Sequence, residues 1–178
     1  GDLALIEKNT EGAAEQYKAA LAADPKHVAS AVALADIEAN TQKNAEAALK
    51  SLDSALTEEG KKSLGSSSLS KALSLKADIL LQQNNMAEAA PLLEEALKLD
   101  PNNAAAKARI AETYLTLHEY GKAVPYLKDS SAADPSNLEY LERYLQALLV
   151  VNKLEEAKRA MDAAEPKFPA NAKVAYWK

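Results

Sequence analysis

Apolar residues recur three and four positions apart along this chain, the spacing of one face of an α-helix. The clearest run begins at Ser70, passes through Leu73, Ala77, Leu80 and Leu81, and is interrupted by Asn84 and Asn85. A second run follows through Ala89, Leu92, Leu93, Ala96, Leu97 and Leu99 and stops at Asp100-Pro101. Asparagine favours a turn and can cap the helix that follows it. Proline holds the residue before it out of the α conformation and has no N–H for a helical hydrogen bond. The pattern predicts a helix over about 70–83, a turn, and a second helix ending at Asp100.

The same pair recurs. Ala13, Ala47, Ala89, Ala123 and Ala157 are separated by 34 residues in three of four steps, and the remaining step, Ala47 to Ala89, is 42. Pro101, Pro135 and Pro169 keep the 34-residue beat, and Pro25 joins it once eight residues are removed. Ile110, Ala111 and Tyr114 continue the first-helix pattern, as do Leu141, Leu145 and Leu148; Leu34-Ala35-Asp36-Ile37 echoes Lys76-Ala77-Asp78-Ile79. Pro91 and Pro125, also 34 apart, are expected in the first turn of the second helix, where a missing N–H costs least. A fixed period of this size means stacked copies of one supersecondary unit.

The copies read as one array over 1–178: a partial unit over 1–27, then 28–61, 70–103, 104–137 and 138–171, and the start of another at 172–178. The extra length falls in 57–69. Its core, Thr57 to Leu69, is rich in glycine, serine and lysine and is expected to be a mobile loop or a lengthened second helix with a flexible end. Asp2 to Lys8 matches only the C-terminal half of a first helix, and Ala172 to Lys178 only the first turns of a new unit. Arrays normally end in a helix with a polar outer face, and a segment carrying Tyr176 and Trp177 is a poor cap. These features predict an excised part of a longer protein, with end-to-end pairing between molecules as the alternative.

Composition narrows the chemistry. Aromatics make up 5% of the 178 residues, which suits close helix packing better than a β-sandwich. The net charge of −5 argues against nucleic acid. With no cysteine there is no disulfide and no thiolate metal site. No apolar stretch approaches the ~20 residues that span a bilayer, and no signal peptide is visible. His27 and His118, 91 residues apart, have no metal-ligand spacing to a carboxylate cluster; His118 falls where a first helix turns. Gly60-Lys61 lacks the other residues of a phosphate loop. Glu58-Glu59, Glu94-Glu95 and Glu155-Glu156 are adjacent in sequence and read as solvated faces. No catalytic residue, cofactor or metal is expected.

The 34-residue helix-turn-helix unit, the small residues and the closing prolines resemble the tetratricopeptide repeat. The small rows are Ala35, Ala77 and Ala111 in the first helix, with Ala13, Ala47, Ala89, Ala123, Ala157 and Ala20, Ser54, Ala96, Ser130, Ala164 in the second. A larger side chain at such a crossing holds the helix axes apart. Leu145 replaces the small residue in its unit, which suggests a looser or rotated crossing, and Glu59 stands where a closing proline is expected. The resemblance implies an all-α fold, a right-handed α-solenoid (superhelix) of stacked antiparallel helix-turn-helix repeats, with the first helices lining a concave groove.

On that implication the groove carries a row of Asp2, Asp36, Asp78, Glu112 and Gln146. Beside it run Leu5, Ala39, Leu81, Leu115 and Leu149, and then Ile6, Asn40, Gln82, Thr116 and Val150. The binding residues expected are Asp36, Asn40, Asp78, Leu81, Gln82, Arg109, Glu112, Leu115, Arg143, Gln146 and Leu149. Arg109 and Arg143 interrupt the acidic row and can pair with Glu112 or Gln146, or with a partner's carboxylate. Carboxylates beside leucines suit a partner peptide or helix carrying Lys or Arg and apolar side chains. The carboxylate-terminated chaperone tails that some family members hold are disfavoured, because Asp36, Asp78 and Glu112 would repel them. The leading expectation is a non-catalytic protein-interaction scaffold. The alternative is a structural spacer in a larger enzyme or bacterial envelope, secretion or polysaccharide-export assembly. The composition points to a bacterial source and leaves cytoplasm and cell envelope both open.

Overall fold

The computed structural model describes the backbone of residues 2–168 and the side chains from residue 9 onward, Ala104 excepted. Pro169 and the expected further unit at 172–178, with Tyr176 and Trp177, lie outside the described residues, as do the side chains of Asp2, Leu5 and Ile6. Among the described residues the chain is helix and turn, without strands. The helices are α1 (Asp2–Ala23), α2 (Val28–Asn40), α3 (Ala45–Ala55), α4 (Glu58–Ser63), α5 (Ser66–Gln82), α6 (Met86–Leu99), α7 (Ala104–Thr116), α8 (Tyr120–Ala133), α9 (Leu138–Val150) and α10 (Leu154–Ala164), followed by a 3-10 turn at Glu165–Lys167.

The chain forms two compact units, Gly1–Pro101 and Asn102–Lys178. In the first, α1 lies on α2, α2 on α3, and α5 on α6, while α2 and α3 both touch α5. In the second, α7 lies on α8, α8 on α9, and α9 on α10. Helical hairpins that meet their neighbours in sequence make this an all-α fold of the solenoid class.

Tight reversals build the hairpins. Asn84, His118 and Asn152, spaced 34 apart, have φ of 60°, 58° and 58°. Asparagine and histidine are among the side chains that enter the left-handed region most readily. The next N–H reaches back over the turn, from Asn85 to Leu80 O, Glu119 to Tyr114 O and Lys153 to Leu148 O, each at 2.8 Å. This is the Schellman closure, which satisfies carbonyls that a helix end leaves open. Asparagine side chains then start several helices: Asn44 accepts from Ala47 N at 3.1 Å, Asn103 from Ala106 N at 3.0 Å and Asn137 from Glu139 N at 3.1 Å. His27 does the same for α2 through Nδ1, which accepts from Ser30 N at 3.3 Å. Asn85, expected to cap α6, stands at the cap position but makes no side-chain capping bond.

The α2–α3 reversal differs. It spans four residues, 41–44, where the other three hairpin turns span three. Lys43 takes the left-handed conformation, with φ of 54°, and Asn44 N closes the turn on Glu38 O at 2.8 Å. The extra residue rotates α3 by one position. Ala48 is 0% exposed and Ala55 is buried at the crossing, while Ala47 is half-buried and Ser54 exposed. Ala47 and Ser54 therefore leave the expected small rows, and Ala48 and Ala55 take their places. In the other described hairpins Ala89, Ala123, Ala157, Ala96 and Ala164 are buried as the pattern requires, and Ala35, Ala77 and Ala111 of the first helices are buried too. Ser130 is half-buried and turns its hydroxyl back onto Tyr126 O.

Three further expectations change. Asp2 to Lys8 and the following residues do not form two helices: α1 runs unbroken through Ala23, since this stretch contains no proline and the backbone makes no left-handed turn in it. The insertion is not a loop. Thr57 accepts from Gly60 N at 3.1 Å and caps α4, Glu58 and Glu59 sit in its first turn and Lys61 and Lys62 in its last, each sign where the helix dipole favours it. Leu69, 8% exposed, belongs to a cluster with Leu73 and Ala96 against which Leu56 and Leu64 pack, so α5 starts at Ser66 rather than at Ser70. Pro91 and Pro125 lie one turn deeper than the first turn, at exposed positions of α6 and α8, where a bend and an unpaired carbonyl cost least.

Gly60 is the tightest point of the insertion. A Cβ there would overlap the carbonyl oxygen of Ala55, with Thr57 Oγ1 at 3.2 Å. Gly60→Ala is expected to lose about 1–3 kcal/mol in urea unfolding. Gly12→Ala, on exposed helix with nothing within 4 Å, is expected to gain about 0.5–1 kcal/mol; equal effects would contradict the close approach. Ala48→Leu should likewise cost about 1–3 kcal/mol. Ala47→Leu should cost about 0.5 kcal/mol or less, an order that reverses if α3 keeps the unshifted register.

Candidate functional site

The first helices of the hairpins present the expected binding residues at equivalent positions. On α2, Asp36 and Asn40 are both exposed, and Asn40 Nδ2 donates to Asp36 Oδ1 at 2.9 Å, one turn apart. Ala39 is half-buried and packs on the core cluster of Ala35, Ala48 and Leu52. On α5, which touches α2, Asp78 and Leu81 are half-buried and Gln82 is exposed.

In the second unit Arg109 and Glu112 are exposed on α7 and Leu115 is half-buried. Gln146 and Leu149 are exposed on α9. Arg143 joins the two helices. Its Nη2 donates to Glu139 Oε1 at 2.8 Å and its Nη1 to Glu112 Oε2. Of the pairings expected for Arg143, the one with Glu112 forms, and it is joined by Glu139, the member that sequence reasoning missed. The signal was present, since Glu139 and Arg143 are four apart on one helix. Arg109, Glu112, Tyr140 and Arg143 border a shallow concavity of about 350 Å³.

The leucine row is graded. Leu81 and Leu115 are half-buried, whereas Leu149, Val150 and Leu154 are each 56% exposed. These last three, with Leu145, Gln146 and Met161, line an open concavity of about 730 Å³ between α9 and α10. Leu145, at the position that is alanine in the other units, is itself buried and lines this concavity.

Behind this face lies a polar contact that periodicity alone did not reveal. Buried Tyr144 donates its hydroxyl to Glu156 Oε1 at 2.9 Å, and Lys128 and Lys153 approach the same carboxylate at 3.5 Å and 3.8 Å. Burial, and then Glu156 itself, push the Tyr144 phenol well above its ordinary range. The Tyr144 hydroxyl, ahead of the two lysines, holds Glu156 below the usual carboxylate range. Glu95 likewise accepts from Lys61 of α4 at 2.9 Å. Glu95 and Glu156 are therefore tied residues rather than simply solvated ones. His118 is exposed, with Nδ1 3.2 Å from the Tyr120 hydroxyl.

Among the described residues no group of three or more His, Asp or Glu is arranged to hold a metal ion. No described helix is long and apolar enough to cross a membrane.

Comparison with known proteins agrees with this architecture. Two sequence profiles of the tetratricopeptide repeat match, over residues 1–63 and 80–124, together more than half of the chain. The chain belongs to the tetratricopeptide repeat family. No curated protein sequence matches it. Among solved structures, MamA superposes with a TM-score of 0.67 at 20% identity, covering 97% of this chain and 96% of that one. A MamA fragment (41-end) from Desulfovibrio magneticus RS-1 gives 0.56 at 20% identity, over 91% of this chain and 79% of its own. YrrB, described as a TPR protein with an unusual peptide-binding site, gives 0.65 at 18% identity, over 90% and 79%. At these identities the likeness is one of fold.

Glu156 supplies a pH test. A carboxylate whose folded pKa is depressed adds stability above its unfolded pKa and loses it as the pH falls through the folded value. Tyr144→Phe is therefore expected to lower the urea midpoint at pH 7, and to differ less from the parent chain below about pH 4. A gap that stays constant from pH 7 to about pH 3 would show that the phenol–carboxylate bond is not its source.

Proposed function

We propose that this chain is a non-catalytic scaffold that holds a peptide or helix of a partner protein against the first helices of its hairpins. The observation that carries the reading is the recurrence of Asp36, Asp78 and Glu112 at equivalent positions of α2, α5 and α7, with Leu81 and Leu115 one turn beyond the last two and Leu149 at the same position of α9. A partner segment with Lys or Arg at intervals finds carboxylates there, and its apolar side chains find leucine. Asn40, Gln82, Arg109, Arg143 and Gln146 supply the remaining polar contacts. Membership of the tetratricopeptide repeat family supports the reading, as does the fold likeness to YrrB with its peptide-binding site.

The test uses a fluorescein-labelled helical peptide with leucine at every third or fourth position and lysine between. The double variant Asp36→Lys, Asp78→Asn is expected to weaken its binding about tenfold or more in fluorescence anisotropy at low salt. The salt dependence of the remaining binding should be shallower. Unchanged affinity at every salt concentration would remove the acidic row from the binding surface.

A further inference from the structure

Leu154, Ala157, Lys158, Met161 and Asp162 of α10 all line the concavity between α9 and α10. Their spacing of three and four makes them a single face of the helix. On α9, Leu145 and Leu149 supply the facing wall, and Leu149, Val150 and Leu154 are exposed. In the preceding hairpin α9 lies on α8, and Leu127, 34 residues before Met161, is buried; Met161 itself is half-buried. The trough between two such helices is thus shaped for further helix to lie against it. Its charges decide what fits. Lys158 and Asp162 are one turn apart, both exposed, and neither has an ion-pair partner among the described residues. Glu142, on the α9 side, is already engaged within the chain. Opposite charges one turn apart on one face are matched by a copy of the same helix running antiparallel, which sets each lysine against the other copy's aspartate.

We propose that the α9–α10 face is a self-association surface on which two copies of this chain pair about a two-fold axis, hairpin against hairpin, in a four-helix arrangement. Leu149, Val150, Leu154 and Met161 of both copies form its apolar centre. Lys158 of each copy faces Asp162 of the other, so the contact carries two ion pairs related by the axis. They fix the antiparallel direction, since a parallel pairing sets like charges opposite one another. A surface of this size makes a weak dimer rather than an obligate one. The inference goes beyond the peptide-binding reading and does not rest on it. Gln146 and Leu149 are common to both, so a partner segment that reaches α9 competes with the second copy.

The experiment is sedimentation equilibrium of the full chain at low salt, from about 10 μM to about 1 mM, with a dimer expected to form across that range. Leu154→Glu is expected to raise the dissociation constant about tenfold or more. Lys158→Asp and Asp162→Lys each set like charges opposite one another and are expected to weaken the dimer about tenfold. The double variant Lys158→Asp, Asp162→Lys restores opposite charges and should return to within about threefold of the parent chain. An equimolar mixture of the two single variants should likewise form the dimer that neither forms well alone. All three substituted side chains are exposed, and circular dichroism checks that each variant keeps its helices. A chain that stays monomeric throughout overturns the proposal and leaves the face to residues 169–178 or to another protein. Growth beyond the dimer overturns it as well, because a head-to-tail contact does not close. So does a double variant as impaired as the single ones, or a dimer that Leu154→Glu leaves intact. None of these results bears on the leucine–lysine peptide, whose weakened binding to the Asp36→Lys, Asp78→Asn variant tests the groove reading separately.

Discussion

Two helices can meet through alanine only if the chain between them reverses without pushing them apart, and that reversal governs the rest of this structure. Asn84, His118 and Asn152 take the left-handed conformation, and the following N–H closes each turn over the preceding helix. The closure sets the rotation of the second helix, and the rotation decides which alanine reaches the crossing. One residue more in the turn at 41–44 moves the contact from Ala47 to Ala48. Side-chain volume at the crossing and backbone geometry at the turn are thus a single constraint. A buried alanine at 0% exposure tells where the axes touch, and the turn tells why that alanine and not its neighbour.

The insertion obeys the same logic with different residues. Where other units end their second helix on proline, this one continues into a short capped helix that closes against α3 through Gly60, the only side chain small enough beside the Ala55 carbonyl. Lys61 then reaches Glu95 of α6, and Lys26 reaches Glu59 at 3.3 Å. The first of these pairs is partly sheltered and the second is almost fully in water, so only the first contributes appreciably to holding α4 in place. Glycine, serine and lysine made the segment look unstructured. In fact Thr57 caps it, its charges match the helix dipole, and Leu56, Leu64 and Leu69 anchor it to the core.

Function in such a fold resides in what the hairpins leave exposed. The carboxylates of α2, α5 and α7 share a register, yet their neighbours differ: Asp36 accepts from the amide of Asn40, whereas Glu112 accepts from Arg143. An arginine four residues beyond a glutamate, facing a second glutamate on the adjoining first helix, turns an acidic surface into a closed ion-pair bridge. The same period that repeats the shape of the unit does not repeat its charge.

The fold class, the hairpin, the stops at Asp24-Pro25, Asp100-Pro101 and Asp134-Pro135, and most of the buried alanines could be read from the chain alone. Each depends on local spacing or on a residue with a strong backbone preference. Three things could not. The unbroken α1 depends on whether a turn forms, and asparagine and threonine permit either outcome. The shift from Ala47 to Ala48 depends on a turn one residue longer in a sequence where alanines stand side by side, so the pattern fits both registers. The bond of Tyr144 with Glu156 joins residues 12 positions apart on different helices, and that of Arg143 with Glu112, 31 apart, was one of several pairings the spacing left open. Spacing along a chain fixes which residues share a helix face; which of them meet across helices is decided only once the turns have set how those helices are rotated.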